Sequence, residues 1–186
     1  IYLILLGVLT LAACTHATGS GLQDLIDSVN TSSKIWLYDR SHLKYTEMYR
    51  YDCIYREKIY LQYGIYIYYE GYGSETEYIS YAVLCENSTS KKGVMKVHNG
   101  IGGPEIIYTL QLWDPQNHCS VLTFNEGGKK HCEMYVWDDA FGTKYLSRCT
   151  KVYSQHCKTH YLLYSDLCQN EYNSSRARKH GKCSVW

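Results

Sequence analysis

The side chains with the most chemical reach in this sequence are nine cysteines, eight histidines and a few acids set among twenty-one tyrosines. The cysteines stand at Cys14, Cys53, Cys85, Cys119, Cys132, Cys149, Cys157, Cys168 and Cys183. No Cys-x-x-Cys pair occurs among them, so disulfides are favoured over a zinc cluster. His156 and His160 have the spacing of metal ligands on a helix, and His118 and His131 fall on neighbouring strands. Histidines so placed are more often surface or half-buried groups, and no metal is expected. The sequence has no Gly-x-Ser-x-Gly elbow, no His-Glu-x-x-His and no phosphate loop. The expectation is a binding protein with no cofactor, not an enzyme.

Cysteines spent in disulfides need an oxidising compartment, and the first residues agree. Ile1 to Ala13 is apolar and uncharged. It is short for a membrane span and is followed by small residues, so 1–17 reads as a partial signal peptide with cleavage after Ala17. A core element, or a lipobox at Leu11-Ala12-Ala13-Cys14, are the other readings of this segment. Loss of Cys14 with the signal leaves an even set of cysteines, whose connectivity the count leaves open. Asn30, Asn87 and Asn173 each begin an Asn-x-Ser/Thr sequon, as on the surface of a secreted glycoprotein. The net charge of +1 gives no case for nucleic acid. No stable membrane association is expected either, and the chain reads as a monomer.

One domain, 18–170, must position these groups, followed by a basic tail over 171–186 with Arg176, Arg178, Lys179 and Lys182. The tail is read as solvated, with a heparin or membrane-surface contact as the sharper alternative. Leu22, Leu25, Ile26 and Val29 recur at helical spacing between Gly21 and Asn30. Eight strand-like runs follow, at 35–38, 54–63, 65–72, 78–85, 93–98, 106–113, 119–124 and 132–137. Turn residues separate them, among them Gly64, Asn99-Gly100, Asp114-Pro115 and Gly127-Gly128. Tyr145, Cys149, Val152, Tyr153 and His156 then return to helical spacing. The expected fold is all-β, an eight-stranded antiparallel barrel with a short N-terminal helix and a C-terminal helix packed outside.

The later strands carry a family resemblance. Cys119-Ser120-Val121, Cys132-Glu133-Met134-Tyr135-Val136 and the run from Cys149 to Cys157 keep the order and spacing of the tick salivary lipocalins, the histamine-binding protein family. Cys53, Cys168 and the helix from Leu22 to Val29 also resemble it. The resemblance implies a secreted salivary lipocalin that sequesters a small host mediator to blunt inflammation or haemostasis. It also implies Cys53–Cys168, Cys119–Cys149 and Cys132–Cys157 bridges. Cys85 and Cys183 have no counterparts and pair by elimination.

The resemblance makes a biogenic amine, histamine or serotonin, the first ligand expected. A buried ammonium needs a carboxylate, and aromatic faces help. Glu133 stands where the family has its pocket glutamate. Tyr135, Trp36, Tyr38, Asp39 and Tyr108 complete the expected site. Tyr60, Tyr66, Tyr68, Tyr78 and Tyr81 are further wall candidates, and Glu47, Glu75 and Glu77 further acids. Ser120 and Leu110 replace acids of the amine binders, which weakens that reading. A leukotriene or fatty acid is the second, with tyrosine hydroxyls and Arg40, Lys44 or Arg56 at the mouth. The third is a surface-acting protein binder that modulates complement or immune cells, with contacts near Lys91-Lys92 or the tail.

Overall fold

The computed structural model describes residues 19–43, 52–72, 76–98, 104–142 and 145–170. The expected signal (1–17), the tail (171–186) and Lys44, Glu47, Glu75, Asn173, Cys14 and Cys183 lie outside the described residues.

Helix α1 spans Leu22–Val29. It starts where the Gly21 N–H donates to the Asp24 carboxylate at 2.8 Å, satisfying an amide that the helix itself leaves unpaired. The strands are β1 Ile35–Arg40, β2 Ile54–Gln62, β3 Ile65–Tyr72, β4 Thr76–Glu86, β5 Gly93–His98, β6 Glu105–Asp114, β7 Cys119–Glu126 and β8 Lys129–Trp137. All pair antiparallel with their chain neighbours, and β1 pairs with both β8 and β2, which closes the barrel. Helix α2, Ser147–His156, follows, then a two-residue strand β9, Tyr161–Leu162, on the edge of β1. The expected eight-stranded barrel with two helices is the observed fold.

The details differ at the ends. β4, β7 and β8 run two to three residues longer than hydrophobicity alone suggested, because ladder pairing continues through polar residues such as Lys129 and Lys130. Tyr63 and Gly64 form the β2–β3 turn, both at positive φ (53° and 75°). Tyr145 precedes α2 instead of lying on it. β9 had no signal, since two residues carry no period.

Side chains alternate between the barrel interior and its outside. Leu37, Ile54, Tyr66, Tyr68, Tyr108, Leu110, Leu122, Phe124 and Tyr135 share the inner core. α1 closes one end of the barrel, with Leu25 fully buried against Gly93 at the start of β5. A Cβ on Gly93 would sit 2.6 Å from the Gly21 carbonyl, so this close approach requires glycine. The Trp137 indole donates to the Ser28 carbonyl at 2.9 Å and ties α1 to β8.

The outside is covered in two places. α2 lies on β6–β8, where Leu112, Val121, Met134, Val136 and Tyr153 are buried together. The segment 161–168 lies on β1 and β2, where Trp36, Tyr55 and Tyr164 pack. Each cover is stapled to the strand beneath it, by Cys119–Cys149 and Cys132–Cys157 for α2, and by Cys53–Cys168 for the last segment. These are the pairings that the resemblance implies. Cys85 is unbridged among the described residues, and Cys183, its expected partner, is not one of them. Three disulfides place the chain in an oxidising, extracellular setting. No helix among the described residues is long and apolar enough to cross a membrane.

Candidate functional site

The end of the barrel away from α1 holds a cavity of about 240 Å³. Strand ends build its wall: Arg40 closes β1, Ile54 opens β2, Tyr72 closes β3, and Leu37, Arg56, Glu70, Tyr78, Tyr108, Glu133 and Tyr135 face in around them. Four of these are ionisable beyond the tyrosines, two guanidiniums and two carboxylates.

Arg56 is held rigidly. It is buried, and its Nε lies 3.4 Å from the Glu70 carboxylate. Its guanidinium lies over the Tyr135, Tyr68 and Tyr108 rings at 4.4, 5.1 and 5.8 Å, a cation–π cage. Burial works against its charge, but Tyr135, Tyr68 and Glu70 outweigh that and raise its pKa well above the ordinary value.

Arg40 is not so well provided. It is 2% exposed, and its Nε and Nη2 find no hydrogen-bond acceptor. It stands opposite Glu133 in the β1–β8 register. Burial lowers its pKa, and the nearby Glu133 charge offsets this only in part.

The acids are already engaged. Glu133, buried, accepts the Tyr135 hydroxyl at 2.7 Å. Glu70 accepts the Tyr72 hydroxyl at 2.7 Å as well as the Arg56 Nε. Deeper in, Tyr66 stacks on Tyr68 at 4.6 Å, and its buried hydroxyl lacks a partner. The Arg40 Nε and Nη2 groups in the cavity wall are thus buried donors without acceptors, and such groups are stabilised when an acceptor reaches them.

Glu133, Tyr135 and Tyr108 line the cavity together with Arg56, Arg40 and Tyr78. Trp36, Tyr38 and Asp39 do not, and their expected place in the site is corrected. Trp36 and Tyr38 alternate with inward Ile35 and Leu37, so they point outward. The Trp36 indole donates to Asp138 at 2.6 Å and its ring meets Tyr55 and Tyr164. Tyr38 lies against Phe141 and Tyr164. A bulge between Leu37 and Asp39 shifts the register, so Asp39 stays outside while Arg40 turns in. Of the other wall candidates, Tyr60 and Tyr81 face solvent at 38% exposure each. Glu77 accepts the Tyr55 hydroxyl outside the cavity. Glu70 and Tyr72 escaped the sequence reading, although they share the parity of Tyr66 and Tyr68 on one strand.

The histidines are dispersed. His118 contacts Asp139 at 2.9 Å, His131 packs against His42, and His160 Nδ1 lies 2.6 Å from Asp39. No cluster of three or more metal-ligating side chains occurs among the described residues. Ser154 Oγ lies 3.4 Å from His160 Nε2, so Ser154, His160 and Asp39 run in the order of a hydrolase triad. The contact joins the last turn of α2 to β9 and β1, and none of the three lines the barrel cavity. Its evident role is to anchor β9, whose Tyr161 N–H donates to the same Asp39 at 3.0 Å. A wider recess of about 350 Å³ lies outside the barrel, on β6–β8 beside Thr109, Thr123 and Lys130. Its rim is exposed, whereas buried Arg40, Arg56 and Glu133 line the interior cavity. Asn30 accepts from Lys58 Nζ at 2.8 Å. Asn87 is exposed at the β4–β5 turn and accepts the Thr89 and Ser90 amides.

No protein-family model matches the chain, and no curated protein matches it.

Proposed function

We propose that the chain is a secreted lipocalin, similar to the tick salivary lipocalins, that sequesters a small acidic lipid mediator of the host. The ligand's carboxylate would accept from Arg40 in the barrel cavity. The observation that carries this reading is the pair of buried, acceptor-less Arg40 nitrogens in the cavity wall. A carboxylate there gains charge-assisted hydrogen bonds that water cannot supply once the cavity is filled. The cavity is smaller than the ~300–1,000 Å³ of drug-sized sites. It suits the head group and first carbons of a fatty acid or eicosanoid, with the remainder passing the Tyr72 and Tyr78 rings at the rim.

A biogenic amine is the second reading, and buried Glu133 favours it. Against it, an ammonium would enter beside two guanidiniums. Leu110 lies in the apolar core and Ser120 is buried without a charge, where the resembled amine binders have acids.

The test is calorimetric titration of the oxidised protein with arachidonate, its methyl ester, leukotriene C4, histamine and serotonin. Binding of the acid and not of the ester supports the carboxylate reading. Tight amine binding that Glu133→Gln weakens more than about tenfold, the worth of a charge-assisted bond, replaces it with the amine reading. No heat from any of them leaves a protein-binding surface as the function.

A further inference from the structure

Two walls of the barrel are covered, and each cover is fastened by disulfides to the strands beneath it. The third wall, the outside of β3 and β4, has no covering segment among the described residues. Its cross-strand pairs are Ile65 with Val83, Ile67 with Tyr81, and Tyr69 with Ile79. Ile65, Ile79 and Val83 are 45%, 63% and 43% exposed. Cys85 follows on the same outward face of β4, half-buried and unbridged among the described residues. This wall thus repeats the pattern of the other two, an apolar sheet face beside a cysteine, with its cover not yet placed.

We propose that the C-terminal tail is that cover, and that Cys183 bridges Cys85 to hold it across the β3–β4 wall.

The reach is sufficient. The described chain ends beside Asp138, where the Gln169 side chain donates at 2.9 Å. Asp138 follows Trp137, which stands opposite Ile35 of β1. Cys85 lies three strands on from β1 and seven residues along β4 from Tyr78, the residue level with Ile35 through Arg56 and Glu70. Strand spacing and rise make that path about 30 Å over the outer surface. The thirteen residue-to-residue steps from Asn170 to Cys183 extend to roughly 43–47 Å. The tail's composition also fits. Arg176, Arg178, Lys179 and Lys182 would pass Glu57 and the exposed Glu86, while Val185 and Trp186 bring apolar surface past the bridge.

The bridge forms by thiol–disulfide exchange. The Cys85 and Cys183 thiols lose two protons and two electrons to a disulfide of the secretory compartment, which leaves as two thiols.

The test is peptide mapping of the full, oxidised chain without reduction, with maleimide labelling before digestion. A Cys85–Cys183 peptide is the expected result. A maleimide-labelled Cys85, a link from Cys85 to Cys14, or a Cys85–Cys85 dimer would each overturn the proposal. Coverage is read separately by dye binding. Cys183→Ser should raise anilinonaphthalene sulfonate fluorescence about twofold or more, since freed apolar surface binds the dye. Hydrogen exchange should also quicken at 79–85 while β7 is unchanged. A bridged tail whose release moves neither readout refutes the cover. Both readouts are independent of any ligand.

Discussion

Arg40→Met separates the function of the cavity from its stability. The side chain is nearly inaccessible, stands opposite Glu133, and leaves two N–H groups without acceptors. Methionine keeps much of the volume and removes the charge. A charge-assisted hydrogen bond contributes about 1.5–3 kcal/mol, so an acidic ligand should bind roughly 10–150-fold more weakly. Folding should behave differently. Each unsatisfied buried donor costs about 1–3 kcal/mol, and removing both offsets the loss of Coulomb attraction to Glu133. The ligand-free variant should therefore melt within a few degrees of the parent. Calorimetric titration with arachidonate and thermal unfolding followed by circular dichroism give both quantities. Undiminished affinity would show that Arg40 is not the acceptor-seeking group. A collapse of several kcal/mol in stability would show that Arg40 and Glu133 act as a structural pair. Arg40→Met/Glu133→Gln distinguishes these, because a structural pair removed together should recover most of that loss.

Trp36→Phe should leave ligand affinity within about twofold while costing about 1–3 kcal/mol of stability, since the indole packs outside the barrel and donates to Asp138; titration and urea unfolding of one sample check both. Replacing Cys53 and Cys168 with serine should cost about 1 kcal/mol more than replacing Cys132 and Cys157. The sequence separations are 115 and 25, and loop-closure entropy grows with the logarithm of that length; paired urea curves test the order. Burial pushes the Tyr68 hydroxyl up to about 12, and burial with Asp138 and Asp166 does the same for Tyr164. The folded state therefore binds protons that the unfolded state releases near pH ~10, so stability should fall as pH rises above that value. Absorbance at 295 nm during alkaline unfolding should show late tyrosine ionisation that coincides with loss of structure. Burial, with Lys130 and Lys92, lowers the His156 pKa. The unfolded chain then takes the proton first, stability should decline as pH falls through ~6.5, and His156→Gln should flatten that slope.

The barrel was legible because its strands obey simple rules. Alternation, turn glycines and the Cys-rich strands near Cys119 and Cys132 all pointed to one architecture. The inward set on β8 was legible too, since Glu133 and Tyr135 lie two positions apart and alternate with outward Cys132, Met134 and Val136. β1 misled for a local reason. Asp39 has the inward parity of Leu37, and only the bulge after Leu37, invisible in composition, returns it to the outside and brings Arg40 in. Trp36 misled because an aromatic face suggested a ligand wall, whereas the segment from 161 to 168 buries it from the other side. The unpaired Arg40 donors were beyond sequence altogether, because they depend on which group reaches which carboxylate.

The staples and the cavity answer one another physically. A barrel that keeps Arg40 nitrogens buried without acceptors gives up stability at the proposed site. The disulfides supply stability elsewhere, about 2–5 kcal/mol each in small secreted domains. They join strands to outer covers and none crosses the cavity mouth. Arg56 is fixed among three rings, so it need not reorganise when a ligand arrives. Ligand stabilisation and staple stabilisation should then be separable. A ligand at a hundred times its Kd adds about 2.7 kcal/mol. That increment should persist when Cys132 and Cys157 are replaced and should fall, at the same ligand concentration, to about 0.3–1.4 kcal/mol in Arg40→Met. Loss of the increment with the staple instead would mean that the α2 wall holds the cavity in shape, and that binding and scaffold are a single unit.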